Sequence, residues 1–257
     1  MGRHSVVLLI ATLTAFSIPS GAHAQQDELH APSGNTRMTV QSIFVPPLPN
    51  APFTATVITT WQRKIEDGST VTIQNHRTIA RDSSGRIFQE RRNLYPAGDS
   101  RENDIRQIEI SDPASHEMYQ CRRQARVCEL TVYYGRVQSA PLLPTGPIHD
   151  GKAFLTRESL GNDSVDGVEA VGTRETTTLN AGTIGNNKNI SIVKEFWYSP
   201  QLGINVIEKR QDPRVGTQSF RVSNISLTEP DSSLFQLPEG YRVIDNRNPQ
   251  PLPPAAN

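Results

Sequence analysis

The chain has 257 residues, of which 26 are basic and 26 are acidic, so its formal net charge is zero. This balance argues against an electrostatic nucleic-acid binder. The length fits one β-rich domain or two small ones, and it is sufficient to bury a core without a structural metal.

The first 24 residues predict a cleaved signal peptide. Arg3 supplies a basic start, and the apolar stretch that follows at 6–18 is too short to span a bilayer. Ala22 and Ala24 are small residues at the positions that a signal peptidase reads, which predicts cleavage after Ala24. We expect a periplasmic or secreted product with no transmembrane segment after cleavage and no lipid anchor.

Proline-rich stretches divide the rest of the chain. Residues 25–52 are polar at first and end in a proline-rich connector, which predicts a flexible N-terminal segment. Residues 53–245 are expected to form a single β-rich domain. The proline-rich end, 246–257, has nothing to bury and is expected to be a disordered tail.

Alternating apolar residues and turn signals predict strands throughout residues 53–245. The stretch 53–61 is rich in β-branched residues, and the same kind of pattern recurs up to 217–227. Only the short stretches 181–186 and 232–237 suggest a helical turn. The chain has 21 arginines and 5 lysines, and polar alternation places the arginines of these strands on solvent.

Two cysteines flank a predicted turn. Cys121 and Cys128 are seven positions apart, and in an exported protein two cysteines this close are expected to pair. The pair would join the two strands of a hairpin near its turn. A zinc site with His116 is the alternative, but no fourth ligand lies at a recognisable spacing.

Several short strings resemble a family of uncharacterised, exported bacterial proteins over roughly residues 54–243. The strings that carry this resemblance are 80–86, 110–113, 167–174, 195–203, 212–214 and 229–238.

The strand-rich layout and the ending Pro230-Asp231-x-x-Leu234-Phe235-x-x-Pro238 also resemble the LolA-like periplasmic lipoprotein carriers. This resemblance implies a mainly β fold, with a curved antiparallel sheet or half-open β-barrel and few short helices. In LolA-like proteins the concave side of that sheet holds acyl chains. A lipid, a lipoprotein or another apolar ligand is therefore the partner that the resemblance implies.

No catalytic residue, metal site or cofactor is predicted, because the sequence lacks a nucleophile elbow and a phosphate-binding loop. Trp61, Trp197 and Tyr198 are the candidates for a ligand-facing aromatic wall, and core packing is their alternative role.

The leading hypothesis is a non-catalytic cell-envelope protein that binds an apolar ligand in the concave face. The alternatives are an envelope protein-interaction or sensor module, which would use a sheet edge or the tail, and a small secreted hydrolase. A filled concave face would favour the interaction module.

Overall fold

The computed structural model describes residues 42–135 and 143–247. The predicted signal peptide, the first part of the predicted N-terminal segment (25–41) and residues 248–257 of the predicted tail lie outside the described residues. Residues 42–52, the described part of the predicted N-terminal segment, contact the strands that follow. No helix in the described part of the chain is long and apolar enough to cross a membrane.

The described residues are mainly β. Two short 3-10 helices, Ser100–Asn103 and Ser232–Phe235, accompany the strands. The strands are β1 Phe53–Lys64, β2 Thr70–Arg81, β3 Ile87–Arg92, β4 Tyr95–Pro96, β5 Ile105–Asp112, β6 Glu117–Arg122, β7 Val127–Val132, β8 Gly146–Ile148, β9 Ala153–Val165, β10 Val168–Leu179, β11 Ile190–Ser199, β12 Ile204–Asp212, β13 Gly216–Ser226 and β14 Arg242–Asp245.

These strands form one unclosed sheet in the order β14-β7-β6-β5-β3-β2-β1-β13-β12-β11-β10-β9-β8, with β4 paired to β2. Neighbouring strands are antiparallel except β14 and β7, which are parallel. The pairing of β1 with β13 joins the two halves of the sheet. The predicted fold class, a curved antiparallel sheet in the form of a half-open barrel, is confirmed.

Alternation along the strands gives the sheet two differently covered faces. Ile79 and Ala80 are neighbours on β2 and both are fully buried, yet they belong to two separate apolar clusters. Successive strand residues point to opposite faces, so the two clusters lie on opposite sides of the sheet. The cluster of Ile79 also contains Ile87 from β3 and Val168 from β10, which are far apart in the strand order. The sheet therefore curves around this cluster, and we call that side the concave face.

The C-terminal segment covers part of the other, outer face. Phe235 of the second 3-10 helix packs with Ala80, Phe88 and Ile110. The guanidinium carbon of Arg86 lies 4.9 Å from the centre of the Phe235 ring. The predicted helical turn at 232–237 thus anchors the C-terminal segment before it adds β14 to the sheet.

The predicted disulfide is present and joins Cys121 to Cys128. The two residues lie directly opposite each other on β6 and β7, so the bridge staples a hairpin near its turn. Both sulfur atoms are used in the bond, which leaves no thiolate for the alternative zinc site with His116.

Replacing both cysteines with alanine is expected to lower the free energy of unfolding by about 2.5 kcal/mol, because the bridge restricts the unfolded chain. Urea unfolding of the variant and of the oxidised wild-type protein measures this difference. Reduced wild-type protein is the control and should show a similar loss. A loss below about 0.5 kcal/mol in both would contradict the prediction.

Candidate functional site

An extended segment, residues 42–52, crosses the concave face, and we call it the strap. Ile43 and Val45 of the strap are 4% and 2% exposed and belong to the concave apolar cluster. Phe44, between them, is 58% exposed and points away. The apolar part of the concave face is thus a trough that two side chains of the same chain already fill.

Arg81 fastens the strap to β2. It is fully buried, and its guanidinium donates to the carbonyl oxygens of Ala51 (2.7 and 2.9 Å) and Pro46 (3.0 Å). The guanidinium carbon also lies 5.1 Å from the centre of the Phe53 ring. Burial lowers the pKa of Arg81 to about 10, so this side chain remains a cation at neutral pH. The expectation that strand arginines face solvent is wrong here, because strap carbonyls take the place of water.

A second buried arginine holds the start of the strap. Arg77 is 4% exposed, and its Nη2 donates to Ser42 Oγ at 2.7 Å. Arg91 donates to the same Ser42 oxygen at 3.1 Å and pairs with Glu109 at 2.6 Å. Burial and the nearby Arg91 charge lower the pKa of Arg77 to about 10. Arg77 Nη1 and Asn75 Oδ1 have no hydrogen-bond partner among the described residues, so this part of the concave face is polar and strongly desolvated.

Charged side chains also lie in register across the strands of the sheet. Arg157 and Glu175 pair at 2.6 Å, and Arg210 pairs with Asp212 at 2.9 Å. Burial raises the pKa of Glu208 on the same strand as Arg210. Strand register places one row of side chains across six strands: Trp61, Gln218, Arg210, Lys194, Glu175 and Arg157. A row of this composition is a poor wall for an acyl chain.

Trp61 begins that row and makes an internal hydrogen bond. Its indole N–H donates to the carbonyl oxygen of Val215 at 2.8 Å, which ties the turn between β12 and β13 to β1. Trp61 is partly buried, and strands β13 and β12 separate it from Trp197 and Tyr198 on β11. The three predicted aromatic residues therefore do not form one wall.

Trp197 and Tyr198 differ although they are neighbours. Trp197 packs against the concave apolar cluster, and a Cβ atom at Gly172 would lie 2.8 Å from its ring. Tyr198 is 44% exposed and pairs in register with Val171, which is 43% exposed. Of the three predicted residues, Tyr198 has the most accessible ring beside an apolar neighbour, and its contact with a ligand remains a prediction.

A cleft of about 320 Å³ adjoins Val171 at the margin of the sheet. Its lining includes Asp163, Glu169 and Pro200. Neither acidic residue forms an ion pair within residues 42–135 and 143–247, and both are exposed. Glu169 is on the same side of β10 as Val171, and Asp163 lies opposite Ala170 on the other side, so negative charge lies on both sides of the sheet near the exposed pair Val171 and Tyr198.

The adjacent strand, β9, has a partly open edge. On its outer side β9 pairs with β8 only through Ala153–Leu155, and no strand of the described residues pairs with 156–165 there. Pro147 lies opposite Phe154 and has no N–H group, so these two residues form a non-hydrogen-bonded pair. Hydrogen-bonded and non-hydrogen-bonded pairs alternate along an antiparallel ladder, so the pairs on either side of this one are hydrogen-bonded. The N–H groups of Arg157 and Ser159, which follow the same alternation, therefore face the open side. The sequence shows strand character here but not which edge remains open.

No protein-family model and no curated protein matches the sequence. Among solved structures, the chain is similar to the MucA/MucB complex of Pseudomonas aeruginosa, with a TM-score of 0.35 and 12% identity over 75% of this chain and 58% of that one. It is also similar to a LolA superfamily protein from Nitrosomonas europaea, with a TM-score of 0.29 and 11% identity over 74% and 91% of the two chains. The lipoprotein LppX of Mycobacterium tuberculosis matches with a TM-score of 0.25, 10% identity, and coverage of 70% and 89%.

The chain spans 58% of the matched chain of the MucA/MucB complex and 60% of MucB, less than two thirds of either.

Proposed function

We propose that this protein is a non-catalytic envelope protein that binds an extended segment of a partner protein along the open edge of β9. The observation that carries the proposal is the length of β9 left without a partner strand in the described residues, 156–165. Unpaired N–H and C=O groups on such an edge can accept a further strand. The filled trough supports the same choice, because the concave apolar surface is already covered by Ile43 and Val45.

The surroundings of the edge indicate the chemistry of the partner. Asp163 and Glu169 provide negative charge, and Val171 with Tyr198 provides exposed apolar area. A strand that alternates basic and apolar side chains would place its basic side chains on the same side of the sheet as Asp163 while its backbone pairs with β9. The envelope location fits the predicted signal peptide and the disulfide, which is a bond of oxidising compartments.

Replacing Ser159 with proline is expected to weaken binding of such a strand at least tenfold, because the variant lacks an N–H group on the open side of β9. The probe is a ten-residue peptide of alternating lysine and valine, measured by fluorescence anisotropy. Ser159→Ala is the matched control, since it keeps the N–H group and should bind within about twofold of wild type.

Two further peptides sharpen the test. An alternating glutamate and valine peptide is expected to bind at least tenfold more weakly than the lysine peptide. A lysine peptide with methylated backbone nitrogens on alternate residues should lose binding, because it cannot complete the hydrogen-bond ladder. Equal affinity of Ser159→Pro and Ser159→Ala for the lysine peptide would overturn the proposal.

A second candidate function is binding of an apolar ligand, such as a lipid or an acylated protein, in the trough. The observation that favours it is the way the strap is held. Ile43 and Val45 fill the trough, but hydrogen bonds from Arg77, Arg81 and Arg91 fasten the strap, which is not itself a strand of the sheet. Release of the strap would uncover an apolar surface suited to one chain.

A further inference from the structure

A groove of about 610 Å³ lies at one end of the sheet, where β1, β12 and β13 meet. Polar side chains dominate its lining: Gln62, Thr70, Ser191, Gln211 and Thr217. Arg63 and Lys64 at the end of β1 and Arg214 in the turn between β12 and β13 add positive charge. We call this the basic groove. None of its lining residues belongs to β9.

The turn that forms one wall is held by a buried carboxylate. Asp212 is 2% exposed and accepts from Arg214 Nε at 2.8 Å, from Arg214 Nη2 at 2.7 Å and from Arg210 Nη2 at 2.9 Å. The hydrogen bonds from Arg214 and the desolvation of the carboxyl act in opposite directions, and the net result is a lowered pKa for Asp212. Its charge is thus present at neutral pH and is matched by two guanidinium groups.

Two further contacts fix the position of the backbone that lines the groove. The indole of Trp61 holds Val215 at 2.8 Å. Gly216 has a φ of +94°, and a Cβ atom there would lie 2.2 Å from the carbonyl oxygen of Gln62. The start of β13 therefore lies directly against β1, and only glycine permits this approach.

The charged side chains of the groove that form no ion pair within the described residues are positive. Arg63 and Lys64 are exposed, and neither forms an ion pair within the part of the chain that the structure describes. Glu66 and Asp67 in the following turn are outside the lining, and Asp67 accepts the backbone N–H of Ser69 at 2.8 Å. Two unpaired cations beside hydroxyl and amide groups are donors suited to oxyanions.

We propose that the basic groove binds a polar ligand that carries closely spaced oxyanion groups, either phosphates or carboxylates. Lys64, on the same side of β1 as Gln62, would contact the anion directly, and Arg63 at the end of the same strand would add its positive charge. Trp61 and Asp212 act as positioning residues, because they fix the turn that carries Arg214.

Isothermal titration calorimetry at low salt tests this with two probes, inorganic pyrophosphate for phosphates and citrate for carboxylates. We expect at least one of them to bind, and the stronger of the two identifies the anion class. The double variant Arg63→Gln/Lys64→Gln should weaken that binding at least tenfold. The control Arg106→Gln/Arg123→Gln removes the same charge at exposed positions elsewhere and should stay within twofold of wild type.

Trp61→Phe gives a second measurement at unchanged net charge. Loss of the indole hydrogen bond should weaken anion binding severalfold, because the turn with Arg214 is no longer fixed. Absence of binding by both probes, or an equal loss in the two double variants, would overturn the proposal. Since Arg63→Gln/Lys64→Gln leaves β9 intact, binding of the lysine peptide should be unchanged in that variant, which separates this outcome from failure of the proposed function.

Discussion

Replacing Arg81 with alanine is expected to lower the free energy of unfolding by about 3–5 kcal/mol. The guanidinium is fully buried and donates to the carbonyl oxygens of Pro46 and Ala51. Alanine would leave both acceptors in a desolvated site without a donor, and it would leave a cavity beside Phe53. The strap would also lose its main attachment to β2.

Urea unfolding followed by circular dichroism measures this change. Arg221→Ala is the matched control, because Arg221 is exposed on β13 and its removal should change stability by less than about 0.5 kcal/mol. A loss below about 1 kcal/mol for Arg81→Ala would mean that water replaces the guanidinium at the strap carbonyls.

The strand content was predictable because alternation and turn residues are local signals. The stretch 53–61 forms the greater part of β1, and the disulfide joins Cys121 to Cys128 as predicted. One turn interrupts the strand-like run 165–179: Asp166 and Gly167 both have positive φ and reverse the chain between β9 and β10. Aspartate followed by glycine is the usual sequence of a tight hairpin turn.

The strap was not predictable because its prolines indicate a connector. Ile43 and Val45 lie on either side of the exposed Phe44, but a segment of this length carries too weak a pattern to identify a partner surface. Its contacts depend on Arg77 and Arg81, which in sequence are polar residues of an alternating strand. Only the curvature of the sheet shows that their face is the covered one.

The candidate sites were only partly predictable for a related reason. Tyr198 was singled out for its aromatic ring, and it does lie exposed beside Val171. The basic groove combines residues near 62 with residues near 214, and no local signal reports that β1 pairs with β13. Register across a sheet of this size is a long-range property, so sites built from it require the structure.

Replacing Val45 with aspartate is expected to release the strap and to lower the free energy of unfolding by roughly 3 kcal/mol. Val45 is 2% exposed in the concave apolar cluster, where a carboxylate would lose its hydration. The strap can leave the trough more cheaply than it can bury that charge. The loss then comes from the apolar contacts of Ile43 and Val45 and from the hydrogen bonds of Arg77 and Arg81 to the strap, for which water substitutes. Urea unfolding gives the stability change, and fluorescence of an apolar dye reports the uncovered trough.

Phe44→Asp is the matched control, since Phe44 is the neighbouring strap residue and is 58% exposed. It should leave both stability and dye fluorescence close to wild type. The functional consequence is measured by native mass spectrometry of the mature protein from its own envelope and after incubation with palmitate. Stoichiometric lipid on Val45→Asp, and less on Phe44→Asp, would mean that the trough is a binding site that the strap competes for. If Val45→Asp shows only the mass of the protein without lipid, the apolar-ligand function is excluded. In that case the uncovered trough takes up no acyl chain, and its only occupant is the strap.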